Sequence, residues 1–183
     1  MTMITLFIDS NAWTALGTWF LVVGTLIAVY FQSRQNRLIN SANTIITFHD
    51  RFESAHFKKK RRDLANKINN KENNISEDIL VFFETVGCLT RRRVLTKEMI
   101  WNEFSWEIIR YYKALTNYNG INYIGKLREN SKDITLYSEF EWLYKTLIEI
   151  DVKKRKVEIG IVIPNEQEVS FFLNEEESLK EEY

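Results

Sequence analysis

The chain has 183 residues, which is enough for one compact domain with an additional segment and too few for two domains and that segment. It contains 25 basic and 25 acidic residues, so its formal net charge is zero, and the acidic residues concentrate at the C-terminal end. This distribution gives no strong signal for nonspecific binding to nucleic acid. The single cysteine, Cys88, excludes an internal disulfide bond and a zinc site built from several cysteines.

The first predicted element is an apolar helix near the N-terminus. Residues 12–31 read AWTALGTWFLVVGTLIAVYF and contain no charged side chain. Twenty helical residues extend over about 30 Å, which matches the hydrocarbon core of a bilayer. The segment therefore predicts a single transmembrane helix at 12–31 that follows a short extracytoplasmic N-terminus at 1–11.

The charges that flank this segment predict its orientation. Asp9 is the only charged residue before it, whereas Arg34 and Arg37 follow it closely. Because basic flanks remain in the cytosol, the N-terminus is expected outside and the rest of the chain inside. The lipid bilayer is thus an expected partner.

Small residues in the same segment are spaced regularly. Thr14 and Thr18 are four residues apart, as are Gly24 and Ala28, and Gly17 lies one heptad before Gly24. Small residues at these intervals allow two helices to approach closely within lipid. They predict self-association of the segment, and hence a homo-oligomer.

Heptad spacing predicts a helical bundle over residues 32–156. The first helix is expected to continue to about Ile68, because the sequence contains neither proline nor glycine between residue 31 and Ile68. Three amphipathic helices are expected after it, one capped by Ser76, one capped by Thr96 and one that begins near Asp133.

The C-terminal region allows two interpretations. VEIGIVI has the composition of a strand, and VSFFL is suited to pair with it across a turn at Pro164. A short β-hairpin over residues 157–173 is therefore favoured. The alternative is a helix, since Asn165 and Glu168 have the spacing of a capping box. Residues 174–183, which are rich in glutamate, are expected to form an acidic disordered tail.

A metal site is the first chemical hypothesis to consider. Glu53 and His56 have the E-x-x-H spacing of di-iron helical bundles, and His49 lies one turn upstream on the same face of a continuous helix. Such bundles need a matching motif on another helix, and the chain has no third histidine. We therefore predict no metal ligand, no catalytic residue and no cofactor, and a metal-dependent enzyme using these three residues stays the weakest hypothesis.

Basic residues form three clusters, at residues 58–62, 91–93 and 153–156. Solvated helix faces are the ordinary interpretation of such clusters. Contact with anionic lipid, or a site for an anionic ligand such as a nucleotide, is the functional one. The candidate contacts for an anionic ligand or an unknown cytosolic protein partner are Lys58, Lys59, Lys60, Arg61, Arg62, Arg91, Arg92 and Arg93.

Short fragments over roughly residues 45–147 resemble a family. The fragments are Arg51-Phe52, Phe82-Phe83-Glu84 with Val86-Gly87, Trp101 with Phe104, Tyr123-Ile124 with Leu127-Arg128, and Leu136-Tyr137 with Phe140-Glu141 and Leu143. In this order they resemble an uncharacterised bacterial domain-of-unknown-function family of small single-pass membrane proteins with a cytosolic helical domain. The resemblance implies a location in the bacterial inner (plasma) membrane, and it supplies no activity and no site residues.

Together these features predict a mainly α protein, in which a single transmembrane helix continues into a small cytosolic helical bundle with a short C-terminal β-hairpin. The favoured function is non-enzymatic and consists of self-association or the docking of a partner. The alternative is a membrane effector or sensor, of the bacterial defence or stress type, that binds an anionic ligand through the basic clusters.

Overall fold

A computed structural model describes residues 10–180, with side chains given for Trp13 and from Gly17 onward. The described residues are mainly helical and contain no β-strand, apart from an isolated bridge between Tyr118 and Ile121. The helices are α1 (Ser10–Glu53), α2 (Ala55–Asn69), α3 (Asp78–Arg91), α4 (Lys97–Asn117), α5 (Tyr123–Ser131), α6 (Ser138–Arg155), α7 (Ile159–Val162) and α8 (Glu166–Glu177).

The chain divides into two compact units. The first unit, Met1–Asn40, contains in its described part the N-terminal portion of α1. The second unit, Ser41–Tyr183, contains the remainder of α1 and helices α2 to α8. The prediction of a helical bundle is confirmed for this second unit.

The prediction of a transmembrane helix is contradicted. Within residues 10–180, no helix is both long enough and apolar enough to cross a membrane. In the predicted span at 12–31, glycine, threonine, tryptophan and tyrosine alternate with the aliphatic side chains, and Gln32 and Arg34 follow within the same helix. Most of the predicted extracytoplasmic segment at 1–11 lies outside the described residues.

Helix α1 ends earlier than the prediction, which extended it to Ile68. Ser54 has an extended backbone with ψ of 146°, and its Oγ accepts a hydrogen bond from the Phe57 amide at 3.3 Å. This is the geometry of an N-cap, which stops α1 and begins α2 without a proline or a glycine. The predicted single helix is therefore two helices, separated at Ser54.

An aromatic cluster forms the centre of the core in the second unit. Phe83 of α3 is fully buried, and its ring centroid lies 5.2 Å from that of Phe140 and 5.8 Å from those of Phe52 and Tyr111. These distances are in the range of favourable ring contacts. Four helices, α1, α3, α4 and α6, meet at Phe83.

A glycine allows α3 and α6 to pack closely. A Cβ atom on Gly87 would overlap the carbonyl oxygen of Glu139, so this position accepts no side chain without a shift of backbone. Nearby, the Glu84 carboxylate accepts hydrogen bonds from the amides of Phe140, at 2.7 Å, and Glu139, at 3.3 Å. The backbone of the first turn of α6 thus contacts α3 directly, at Gly87 and at the Glu84 carboxylate.

The predicted β-hairpin at residues 157–173 is wrong. Helix α7 and the first half of α8 occupy this region, and Asn165 and Glu168 form the capping box that was the alternative interpretation. The predicted disordered tail begins inside α8, which continues to Glu177 and buries Val169 and Phe172. Two reciprocal cap bonds and an apolar face decide in favour of the helix.

Helices α4 and α6 agree better with their prediction, whereas α5 was not predicted. Thr96 caps α4, and its side chain accepts a hydrogen bond from the Met99 amide at 3.3 Å. Helix α6 begins at Ser138, five residues after the expected start at Asp133, because Tyr137 has a left-handed backbone.

Candidate functional site

An exposed apolar surface covers the N-terminal part of α1. All fifteen residues from 17 to 31, hereafter the apolar segment, are exposed and none is charged. Ten of them have large apolar side chains, and Phe20 is the most exposed at 76%. They are Trp19, Phe20, Leu21, Val22, Val23, Leu26, Ile27, Val29, Tyr30 and Phe31. Contiguous apolar surface of this kind marks interaction sites in proteins.

The small residues predicted to mediate self-association lie on this surface. Gly17 and Gly24 have open space where a Cβ would lie, and Ala28 is exposed. Thr18 also belongs to the apolar segment, whereas the side chain of Thr14 is outside the described residues. The glycines therefore leave notches in an otherwise bulky surface.

The first basic cluster is divided between solvent and salt bridges. Lys58 lies 3.3 Å from Glu53, and Lys60 lies 2.5 Å from Asp78. Lys59 is exposed, and Arg62 is half-buried. Arg61 differs from all of these, because only 5% of its surface is exposed.

Arg61 is the centre of a buried ion-pair network. Its Nε and Nη2 donate to the two carboxylate oxygens of Glu176, at 2.7 and 2.6 Å, and Glu176 is only 4% exposed. Its Nη1 donates to Glu53 Oε1 at 2.9 Å and to the Phe52 carbonyl at 3.3 Å. Tyr111 Oη donates to the same carboxylate at 2.5 Å. The network joins α2 to α8, near the start of the predicted disordered tail.

The pKa values in this network follow from burial and charge. Burial alone lowers the pKa of Arg61, but the Glu176 carboxylate outweighs it and raises the pKa above its ordinary value. Burial alone raises the pKa of Glu53, but Arg61 and Lys58 lower it overall. Arg61 therefore remains charged and is used within the fold.

The second basic cluster lies where α3 ends. Arg91 Nη1 is 3.0 Å from Glu139 Oε1, whereas Arg92 and Arg93 are exposed. Arg91 also lies 5.6 Å from the ring centroid of Trp142. Each of these two basic clusters thus has acidic partners of its own. In the third cluster, Lys154 lies 4.1 Å from the ring centroid of Trp101.

Two of the three residues of the metal hypothesis have other partners. His49 Nδ1 lies 2.5 Å from Glu103 Oε1, and Glu53 pairs with Arg61 and Lys58. His56 belongs to α2, beyond the break at Ser54, so the continuous helix face that the hypothesis requires does not exist. Among residues 10–180, no group of three or more histidine, cysteine, aspartate or glutamate side chains is arranged to hold a metal.

Sequence reasoning did not identify the partner of Arg61. Glu176 is 115 residues away along the chain and lies among glutamates that look alike in sequence. The one local signal was the position of Glu176 relative to Val169, Phe172 and Leu173, which places all four on one face of a helix.

The described residues are mainly helical. The second unit is a bundle that contains the buried Arg61 network, and the first unit contains the exposed apolar segment. A family model described as a domain of unknown function (DUF4760) matches residues 18–147, and the chain belongs to this family. No curated protein and no solved structure matches the chain.

Proposed function

We propose that this protein is a helical module that acts by self-association through the apolar segment, and not by catalysis. The observation that carries the proposal is the exposure of fifteen consecutive uncharged residues, ten of them large and apolar. Covering one such side chain completely is worth about 1.5–3 kcal/mol. Covering several of these side chains at once can offset the entropic cost of association.

The spacing within the segment favours a second copy of the same chain as the occupant. Gly17, Phe20, Gly24, Ile27 and Phe31 follow at alternating steps of three and four residues, hereafter the seam. Helices with this repeat pack along one seam as coiled coils. We propose the parallel, in-register arrangement, in which equivalent residues share a layer. Layers of glycine alternate with layers of Phe20 or Ile27, so the bulky side chains fill the space that the glycines leave.

The charges around the segment agree with this occupant. No acidic or basic side chain lies within it, so no charge prevents an identical copy from packing alongside. Arg34, the residue after Phe31 in the same series of steps, is the first charge and ends the apolar seam.

A bacterial origin of the chain stays a prediction from the resemblance.

The first test is the molar mass of the full chain in solution, measured by light scattering after size exclusion. The wild-type chain should run as an oligomer of its 21.8 kDa subunit. Ile27→Glu places one charge per copy in the seam, where the charges would be desolvated and would repel each other. We expect this variant to shift to the monomer.

Ile134→Glu is the matched control. Ile134 is 85% exposed and lies outside the apolar segment, so this variant should keep the wild-type mass. A monomeric wild-type chain would contradict the proposal. So would a wild-type chain that stays monomeric while bound to phospholipid vesicles, since lipid would then be the occupant.

A further inference from the structure

A cavity of about 280 Å³ lies between α4, α6 and the α7–α8 region of the second unit. Arg110 of α4 and Arg155 of α6 both line it. Ile109, Val162 and Pro164 supply apolar walls, and Trp106 lies at the edge that is shared with a smaller neighbouring cavity of about 230 Å³. Concave sites that combine apolar walls with a few charged groups are typical of small-ligand binding.

Arg110 has hydrogen-bonding capacity that its surroundings do not use. Its Nη1 donates to the Trp106 carbonyl at 3.3 Å, and the guanidinium carbon lies 3.0 Å from the centroid of the Trp106 ring. Its Nε is buried and has no hydrogen-bond partner among the described residues. Because Nε is closed off, a ligand in the cavity would contact the terminal nitrogens of the guanidinium, which form strong charge-assisted hydrogen bonds with a carboxylate.

The carboxylates around the cavity are occupied by other partners. Asp151 accepts from Trp101 Nε1 at 3.1 Å and lies 3.3 Å from Arg155 Nε. Glu168 accepts from the Asn165 amide at 2.8 Å in the capping box of α8. Burial raises the pKa of Glu107, and one of its oxygens is buried without a hydrogen-bond partner. No carboxylate forms a salt bridge with Arg110 within the described part of the chain. Burial lowers the pKa of Arg110, and the negative charges of Glu168, Glu107 and Glu175 partly oppose that effect.

We propose that this cavity binds a small carboxylate that carries an apolar substituent. The carboxylate lies between the guanidinium groups of Arg110 and Arg155, and the substituent lies against Trp106 and the apolar walls. Binding supplies Arg110 with a partner of opposite charge, whereas Arg155 already pairs with Asp151. A neutral molecule of the same shape does not supply that charge, so charge is expected to decide the affinity.

The test uses the full chain and sodium benzoate as the probe, with benzamide as the neutral molecule of matched shape. Thermal unfolding is followed at constant ionic strength with sodium chloride as the reference salt. Benzoate should raise the melting temperature in a saturable way, and benzamide and chloride should not. Arg110→Gln should weaken benzoate binding by about tenfold or more, because the charge-assisted hydrogen bonds are lost.

Arg92→Gln is the matched control, because Arg92 is exposed outside the cavity, and this variant should bind benzoate as the wild type does. If Arg110→Gln does not fold, Arg155→Gln takes its place with the same expected direction. Absence of a saturable benzoate effect on the wild-type chain would overturn the proposal. An equal effect of benzamide, or a benzoate effect that persists unchanged in Arg110→Gln, would also overturn it.

Discussion

Replacing Arg61 by methionine is expected to lower the free energy of unfolding by about 3–5 kcal/mol, the usual cost of removing one partner from a buried ion pair. The Glu176 carboxylate would stay buried without the two guanidinium hydrogen bonds at 2.6 and 2.7 Å. The Phe52 carbonyl would lose a donor as well. Urea denaturation followed by tryptophan fluorescence measures this change.

Two further variants show whether the loss of stability comes from the unpaired Glu176 carboxylate. Arg92→Met removes an exposed arginine and should change the unfolding free energy by less than about 0.5 kcal/mol. The double variant Arg61→Met with Glu176→Met removes the charge that the single variant leaves unpaired, and should recover much of the stability. Recovery is expected to be partial, because Tyr111 loses its acceptor. A single variant as stable as wild type would show that the network does not join α2 to α8.

Replacing Phe83 by alanine is expected to cost about 3–5 kcal/mol, the range for a buried phenylalanine whose removal leaves a cavity. The ring contacts four other buried aromatic rings, so its surroundings cannot collapse without moving several helices. Phe171→Ala is the matched control, since Phe171 is 61% exposed, and the same urea titration should show little change. Similar effects of the two substitutions would contradict a core centred on Phe83.

Local signals in the sequence were sufficient for α4, which carries its own cap. Thr96 stands directly before a regular heptad pattern, and the predicted cap of α4 agrees with the structure. Ser54 has the same chemistry but stands within an unbroken apolar pattern, so the pattern concealed the break. At residues 157–173, the β-branched composition outweighed the capping box in the prediction, although the cap forms two specific hydrogen bonds.

The sites depended on contacts that local patterns do not contain. Arg61 was predicted to be a candidate contact for a ligand or partner, because five basic residues in succession look like a solvated surface. Its burial follows from the position of α8, which supplies Glu176 from the far end of the chain. The apolar segment was visible from composition alone, but the prediction that it crosses a membrane needed more continuous hydrophobicity than the described helix has.

Disulfide crosslinking tests the parallel, in-register association of the apolar segment most directly. In a Cys88→Ser background, Ile27→Cys places a thiol in the seam, and Val29→Cys places one about 200° further round the same helix. We predict that mild oxidation converts the Ile27→Cys chain largely to a covalent dimer and leaves the Val29→Cys chain largely monomeric. Equal crosslinking at the two positions, or none at Ile27→Cys, would contradict it.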